Sequence, residues 1–229
     1  MKIGQIQKTS FIDYPGKISA IIFTLGCNFA CPYCHNPELV DPKRFLAPLG
    51  EDEVMAFLKK RVGQLDAVVI TGGEPMIHAD LIDFMKSIKD MGYLIKLDTN
   101  GTNPVMLLKA IERGIVDYIA MDIKAPYALY DTVTRTHVNT DDIKSSIDLI
   151  MNAQSSYEFR TTLVRSLINP EDVLTIGHMI KGARRYALQN FVPSKHVDDA
   201  FIGESGFTKE ELTELKRHLD TLVKSCIIR

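Results

Sequence analysis

The chain has 229 residues, 45% of them apolar and 24% charged, so it is long enough for one sizeable core and too apolar for a disordered segment. Its 27 Lys and Arg against 29 Asp and Glu leave a net charge of −2, which gives no electrostatic case for nucleic acid or an anionic membrane surface. Polar residues follow Lys2 with no apolar leader, and apolar runs such as 18–25 fall far short of the about 18 residues that cross a bilayer, so a cytoplasmic protein is expected, its four cysteines serving as ligands or catalytic groups.

Strand and helix alternate along the chain. Residues 18–25 are apolar and β-branched, as a strand covered on both faces should be. Residues 51–62 have helical spacing through Val54, Phe57, Leu58 and Arg61. A short strand at 66–71 precedes a helix at 78–91, with Leu81, Ile82, Met85 and Ile88 on one face. A third strand at 93–98 leads to Asn103-Pro104, a cap with proline at the first helical position, opening a helix to Arg113. Residues 116–121 form the fourth strand, 141–152 a helix, and 157–164 the fifth strand. Asn169-Pro170 repeats the cap signal for a helix to about residue 182, and 186–192 form the sixth strand. Thr208 and Glu211 fit a capping box that starts a terminal helix over about 208–225, which would carry Cys226 at its end.

No repeat, low-complexity segment or linker stands out, so a single domain over 1–229 is expected. Six strand–helix units imply parallel strands joined by right-handed crossovers. An open six-stranded barrel and a doubly wound sheet both satisfy the pattern, and periodicity does not separate them.

Cys27, Cys31 and Cys34 form a C-x3-C-x2-C run in a loop, 26–37, just after the first predicted strand. Three thiolates on so short a loop face a common centre. A cubane iron–sulfur cluster ordinarily takes four cysteine thiolates, so three leave one iron open, much as catalytic zinc keeps an open position. Structural zinc is the alternative. It needs a fourth ligand, and His35 is too close along the chain to share a metal with Cys34 easily, while Cys226 must fold back from far away. A lone reactive thiol is a third reading.

Gly72, Gly73, Glu74 and Pro75 end the second strand. Two glycines let a ligand approach the backbone closely, and Glu74 with the strand-end carbonyls offers acceptors for an ammonium. Alone, the segment is also an ordinary strand-to-helix turn. Asp98-Thr99-Asn100-Gly101 ends the third strand, and Asp122 and Lys124 end the fourth; alone, these read as a turn and a solvated pair. Arg160 is a charge inside the fifth strand, where charges are rarely buried unless paired; an edge position is its other reading. These segments, the cysteine loop and 193–196 each follow a strand, and in a parallel barrel such positions converge on the carboxyl-terminal rim.

The cysteine spacing, with Tyr33 before the last cysteine, resembles the radical S-adenosylmethionine (SAM) superfamily, and Gly72-Gly73-Glu74-Pro75 resembles that superfamily's motif for the SAM amino group. The resemblance spans about Gln5 to Ser194. It implies an α/β fold of parallel strands, a partial (β/α)6 TIM-like barrel, with a [4Fe–4S] cluster on Cys27, Cys31 and Cys34. It also implies SAM binding by Tyr33, Gly72, Gly73, Glu74, Asp98, Thr99, Asp122, Arg160 and His196. Asp98-Thr99-Asn100-Gly101 and Met121-Asp122-Ile123-Lys124 are similar to segments in activating enzymes of glycyl-radical enzymes. That match implies a monovalent cation among Asp98, Thr99, the Ala120 carbonyl and Asp122, with Lys124 beside the SAM carboxylate or the radical.

His35-Asn36-Pro37 and Ile12-Asp13-Tyr14-Pro15-Gly16 resemble the same activators, which implies that Asp13 faces the glycine-bearing loop of a partner; its other reading is a turn residue before Pro-Gly. Only Cys226 lies outside the cysteine loop, so no auxiliary cluster can be built, which excludes activators with a ferredoxin-like insertion. Within this group the chain is most similar to the longer activating protein of the anaerobic (class III) ribonucleoside-triphosphate reductase. The implied activity is reductive cleavage of SAM, with flavodoxin or ferredoxin as electron donor, and removal of a hydrogen atom from a glycine of the partner. The rivals are a pyruvate formate-lyase-type activase, a small-molecule enzyme such as 7-carboxy-7-deazaguanine synthase, which usually carries Asp where His35 stands, and a non-catalytic metal-binding protein.

Overall fold

In the computed structural model, which describes residues 1–193 and 199–229, eight strands among those residues form one sheet in the order in which they occur along the chain. β1 (Ile3–Ser10) runs antiparallel to β2 (Ser19–Thr24). From β2 onward every pairing is parallel, through β3 (Ala67–Gly72), β4 (Leu94–Thr99), β5 (Tyr118–Asp122), β6 (Ser156–Leu163), β7 (Tyr186–Asn190) and β8 (Cys226–Ile228). The intervening helices are α1 (Glu51–Lys60), α2 (Leu81–Lys89), α3 (Pro104–Glu112), α4 (Tyr130–Thr134), α5 (Thr140–Asn152), α6 (Pro170–Met179) and α7 (Lys209–Leu219).

The strand order decides between the two architectures left open above. A doubly wound sheet reverses its order at a switch point. Here the order never reverses, so the crossovers wind one way and curl the sheet into a partial barrel. The barrel is open, because β1 and β8 are its two edges.

The sheet has two faces with different tasks. Ile22, Val68, Ile70, Ile95, Leu97 and Ile119 point outward and join the helices in one large core. Alternation along each strand then turns the neighbouring residues into the lumen. At the amino-terminal end of the lumen, Tyr14, Ile21, Ala67, Val69, Tyr118 and Ala120 form a small apolar plug. Toward the carboxyl-terminal end the lumen becomes charged, with Lys96, Asp98, Asp122 and Arg160.

The cap signals are present. Asn103 accepts from the Met106 N–H, Asn169 and Asp172 form a capping box before Pro170's helix, and Thr208 and Glu211 form another at α7. Three elements differ from the expectation. β1 lies at a sheet edge and has only Ile3 and Ile6 as large apolar residues, three apart, so its pattern carries no strand period. α4 is a single short turn that supports the cysteine loop. α7 stops at Leu219, and Cys226 lies on β8, paired with Tyr186 at the amino-terminal end of β7, rather than on the helix. Among the described residues, no helix is long and apolar enough to cross a membrane.

Candidate functional site

The cysteine loop leaves β2 through Gly26, whose φ of +93° is a conformation that L side chains rarely adopt. A tight turn brings the Cys34 N–H to the Cys31 carbonyl at 3.1 Å. The loop rests on α4, where the Ala30 N–H donates to the Thr134 carbonyl and Phe29 meets Tyr130 edge-on. At its far end His35 stacks near Phe191, with Nε2 3.1 Å from the Val192 carbonyl. The three sulfurs are half-buried, and burial raises all three thiols, that of Cys27 to about 12. Neutral thiols are poor nucleophiles, whereas a metal displaces their protons. The lone reactive thiol is therefore the weakest of the three readings.

Zinc fares no better. His35 is held by β7's end, and Cys226 sits at the opposite end of the strands, so neither is placed as a fourth ligand. Among the described residues, no three His, Cys, Asp or Glu side chains are grouped to hold a single metal ion.

All three cysteines line one cavity of about 470 Å3 at the carboxyl-terminal rim, within the range of cofactor pockets. Tyr33, Gly72, Gly73, Glu74, Asp98, Thr99, Asp122, Lys124 and Arg160 line it too, so the structure brings together nearly every residue singled out from the sequence. Asn28 ties the cysteine loop to the loop after β4. It accepts from Asn100 Nδ2 and donates to Thr102 Oγ1, both at 2.8 Å.

Gly73 joins the loop after β3 to the cysteine loop. Its N–H donates to the Thr24 carbonyl, and the next N–H, of Glu74, donates to the Gly26 carbonyl at 2.8 Å. The backbones are so close that a Cβ on Gly73 would stand 2.0 Å from the Gly26 oxygen.

The Glu74 side chain does not project freely into the cavity. It is 1% exposed, and its carboxylate accepts from the Met76 N–H, the Thr99 hydroxyl and the Asn100 N–H. It braces the β3 and β4 loops against each other, which leaves the glycine backbone as the surface open to a ligand. Burial raises its carboxyl to about 7 despite the three donors. A raised acid holds its proton more tightly in the fold, so Glu74 contributes stability below its ordinary value of 4.5 and loses it as pH rises through about 7. Compared with Glu74→Gln, the wild-type apoprotein is expected to lose denaturation midpoint between pH 5 and 7.5; parallel midpoint curves would show that Glu74 does not titrate there.

A chain of ion pairs forms the cavity floor. Arg160 bridges Asp122 Oδ1 from Nε at 2.7 Å and Asp98 Oδ2 from Nη1 at 3.1 Å. Lys124 Nζ lies 3.1 Å from Asp122 Oδ2. Burial opposes the charge on both carboxylates, but Arg160 with Lys96 or Lys124 outweighs it and holds both acids below the usual range. Burial likewise opposes the Lys124 charge, and Asp122 overrides it. Buried pairs of this kind seldom add net stability, and removing one member costs about 3–5 kcal/mol. Their concentration at one cavity points to function instead.

One expected residue does not join the site. Asp13 follows β1, and the antiparallel pairing of Ser10 with Ser19 puts that turn at the amino-terminal end of the parallel strands, away from the cavity. Its carboxylate accepts from the Ser10 hydroxyl, as a turn residue would. His196 lies outside the described residues. The sequence reading missed Asn28, Lys96 and Arg229. Arg229 grips the buried Glu158 through two bonds of 2.8 and 2.7 Å and reaches the cavity wall.

Three thiols with no fourth ligand among the described residues, a close-approach glycine backbone and a charged floor form a donor set that fits a three-cysteine iron–sulfur cluster with a zwitterionic ligand beside it. The known proteins agree. The family model of the radical SAM superfamily matches residues 21–179. A candidate glycyl-radical enzyme activating enzyme of Methanocaldococcus jannaschii is 34% identical over 231 residues, covering 96% of this chain and 94% of its own. A 7-carboxy-7-deazaguanine synthase of Aquifex aeolicus is 32% identical, over 44% of each chain. The crystal structure of QueE from Escherichia coli, at 14% identity, superposes with a TM-score of 0.60 over 100% of this chain and 93% of that one, which speaks for the fold alone. With its three cysteines, its open parallel barrel and this family match, the chain belongs to the radical SAM superfamily, whose enzymes use a [4Fe–4S] cluster and S-adenosylmethionine.

Proposed function

We propose that the protein activates a glycyl-radical enzyme, taking a hydrogen atom from one glycine of a protein partner, and that the partner is an anaerobic ribonucleoside-triphosphate reductase. The observation that carries the activase reading is the near end-to-end likeness to the M. jannaschii candidate activase, which includes the strand ends that line the cavity. The reductase as partner rests on the resemblance over about Gln5 to Ser194 and on the lack of further cysteines for an auxiliary cluster. The Aquifex synthase relative aligns with less than half the chain, and His35 departs from the residue usual in that group.

In this reading Cys27, Cys31 and Cys34 hold the cluster and leave one position for SAM. When bound, the cluster supplies the electron, drawn from flavodoxin or ferredoxin, that cleaves SAM. Gly72 and Gly73 offer backbone acceptors to the SAM ammonium, and Lys124 and Arg160 face its carboxylate. Tyr33, 4% exposed, walls the cavity against water. Glu74 and Thr99 keep the loops in register through their 2.8 Å bond.

Anaerobic incubation of the reconstituted protein with reduced flavodoxin, SAM and the reductase is expected to give a glycyl doublet in the electron paramagnetic resonance spectrum. A doublet with pyruvate formate-lyase alone would move the partner. SAM cleavage without a doublet on either protein would remove the activase reading.

A further inference from the structure

The resemblance to activating enzymes implies a monovalent cation among Asp98, Thr99, the Ala120 carbonyl and Asp122, and the side chains here do not fit one. The two carboxylates present four oxygens, and each already faces a cation of the protein. Lys96 Nζ is 2.5 Å from Asp98 Oδ1. Arg160 takes Asp98 Oδ2 and Asp122 Oδ1, and Lys124 takes Asp122 Oδ2. The Thr99 hydroxyl is also engaged, donating to Glu74 and accepting from the Gly101 N–H.

We propose that Lys96 is a tethered cation: its ammonium holds the place that a dissociable sodium or potassium ion would take, so SAM binding in this protein needs neither. Lys96 lies two residues before Asp98 on β4, and the strand's alternation turns both into the lumen. Its side chain is 4% exposed, a rare situation for lysine unless it is paired. The Tyr118 ring lies 6.0 Å from the ammonium and backs it from the plug side. A backbone tether also makes the charge intramolecular, so its presence does not depend on the salt in solution.

The charge balance gives the inference its function. With Lys96, three cations face two carboxylates, and the floor attracts the carboxylate of SAM. Without it, Asp98 Oδ1 loses its partner and the excess positive charge disappears. That oxygen then becomes a place where a small cation can bind, as hard cations prefer oxygen ligands. The inference rests on SAM binding, a property of the family, and is independent of which partner is activated.

The test compares SAM affinity of the reconstituted protein by calorimetry in tetramethylammonium, sodium and potassium chloride at matched ionic strength. Wild-type affinities are expected to agree within about twofold. Lys96→Met should lose about tenfold in tetramethylammonium and recover saturably with potassium or sodium. Thermal midpoints of the apoprotein, which require no turnover, should follow the same pattern, with only the variant responding to small cations. Lys96→Gln, which keeps a polar group in the lumen, serves if Lys96→Met fails to fold. Wild-type affinity that rises about fivefold or more with potassium or sodium overturns the inference. So does a Lys96 variant that loses nothing, or one whose loss no salt reverses, since the latter marks a merely structural lysine.

Discussion

Cys31→Ala will fold, hold no [4Fe–4S] cluster after anaerobic reconstitution, and release no 5′-deoxyadenosine from SAM. Cys31 is the middle of the three cysteines, half-buried against the core beside Tyr33. Losing its sulfur leaves two thiols in the loop, too few to hold the cluster. Removing one small, half-buried side chain costs on the order of 1 kcal/mol, so the fold survives. Loss of an outer-shell partner alone typically costs 10- to 100-fold, so loss of a ligand should lower turnover by more than about 100-fold. Iron and sulfide analysis, paramagnetic resonance and product release read this directly. Cys226→Ala, at the other end of the strands, should keep cluster and turnover. A Cys31→Ala protein with an intact, SAM-cleaving cluster would strike Cys31 from the ligand set.

Gly73→Ala is expected to cut SAM affinity and turnover by about 100-fold while leaving the sheet intact. The new methyl would stand 2.0 Å from the Gly26 carbonyl oxygen, a backbone atom that cannot swing aside. Overpacking of this kind costs about 1–3 kcal/mol, which a domain of this size tolerates. The displacement matters more. Gly26 immediately precedes Cys27, and Glu74 hangs from the Gly26 carbonyl. Pushing the loops apart moves a ligand and the ligand-facing backbone in opposite directions. Far-ultraviolet circular dichroism checks the sheet, and calorimetry with single-turnover SAM cleavage checks the site. Wild-type binding and turnover in this variant would show that the contact is dispensable.

Much of this site was legible because its residues sit at strand ends, and strand ends announce themselves. β2, β3 and β4 are short apolar runs that close on or just before Cys27, Gly72 and Asp98, so the polar break marks the rim. Asn103-Pro104 and Asn169-Pro170 fixed their helix starts by backbone chemistry that needs no partner. Lys96 was legible in principle, since it shares the face of Asp98 at a spacing of two, but a single lysine in a strand also reads as an edge residue. Asn28 was hidden inside the cysteine run, where the thiols explain the loop without it. Asp13 was read from the likeness of its segment alone, with β1 unrecognised; once β1 is seen to run antiparallel, its turn falls at the far end of the strands from the cavity. β8 is three residues long, too few for any period to show, and so Arg229 had no visible address. Glu74 was expected to meet the ligand's ammonium, whereas two of its three donors, Thr99 and Asn100, lie at the end of β4, which only the tertiary fold brings to it.

The unreversed strand order carries a consequence for redesign. Each rim segment stands on its own strand and helix, beside the segment that comes next in the chain. A graft of one such unit from a relative should therefore transplant one set of contacts and leave distant ones standing. The loops after β2, β3 and β4 are the exception: interlocked through Gly26 and Gly73, through Glu74 with Thr99 and Asn100, and through Asn28 with Asn100, they must be exchanged together, and a chimera with its junction among them should fail where junctions elsewhere succeed.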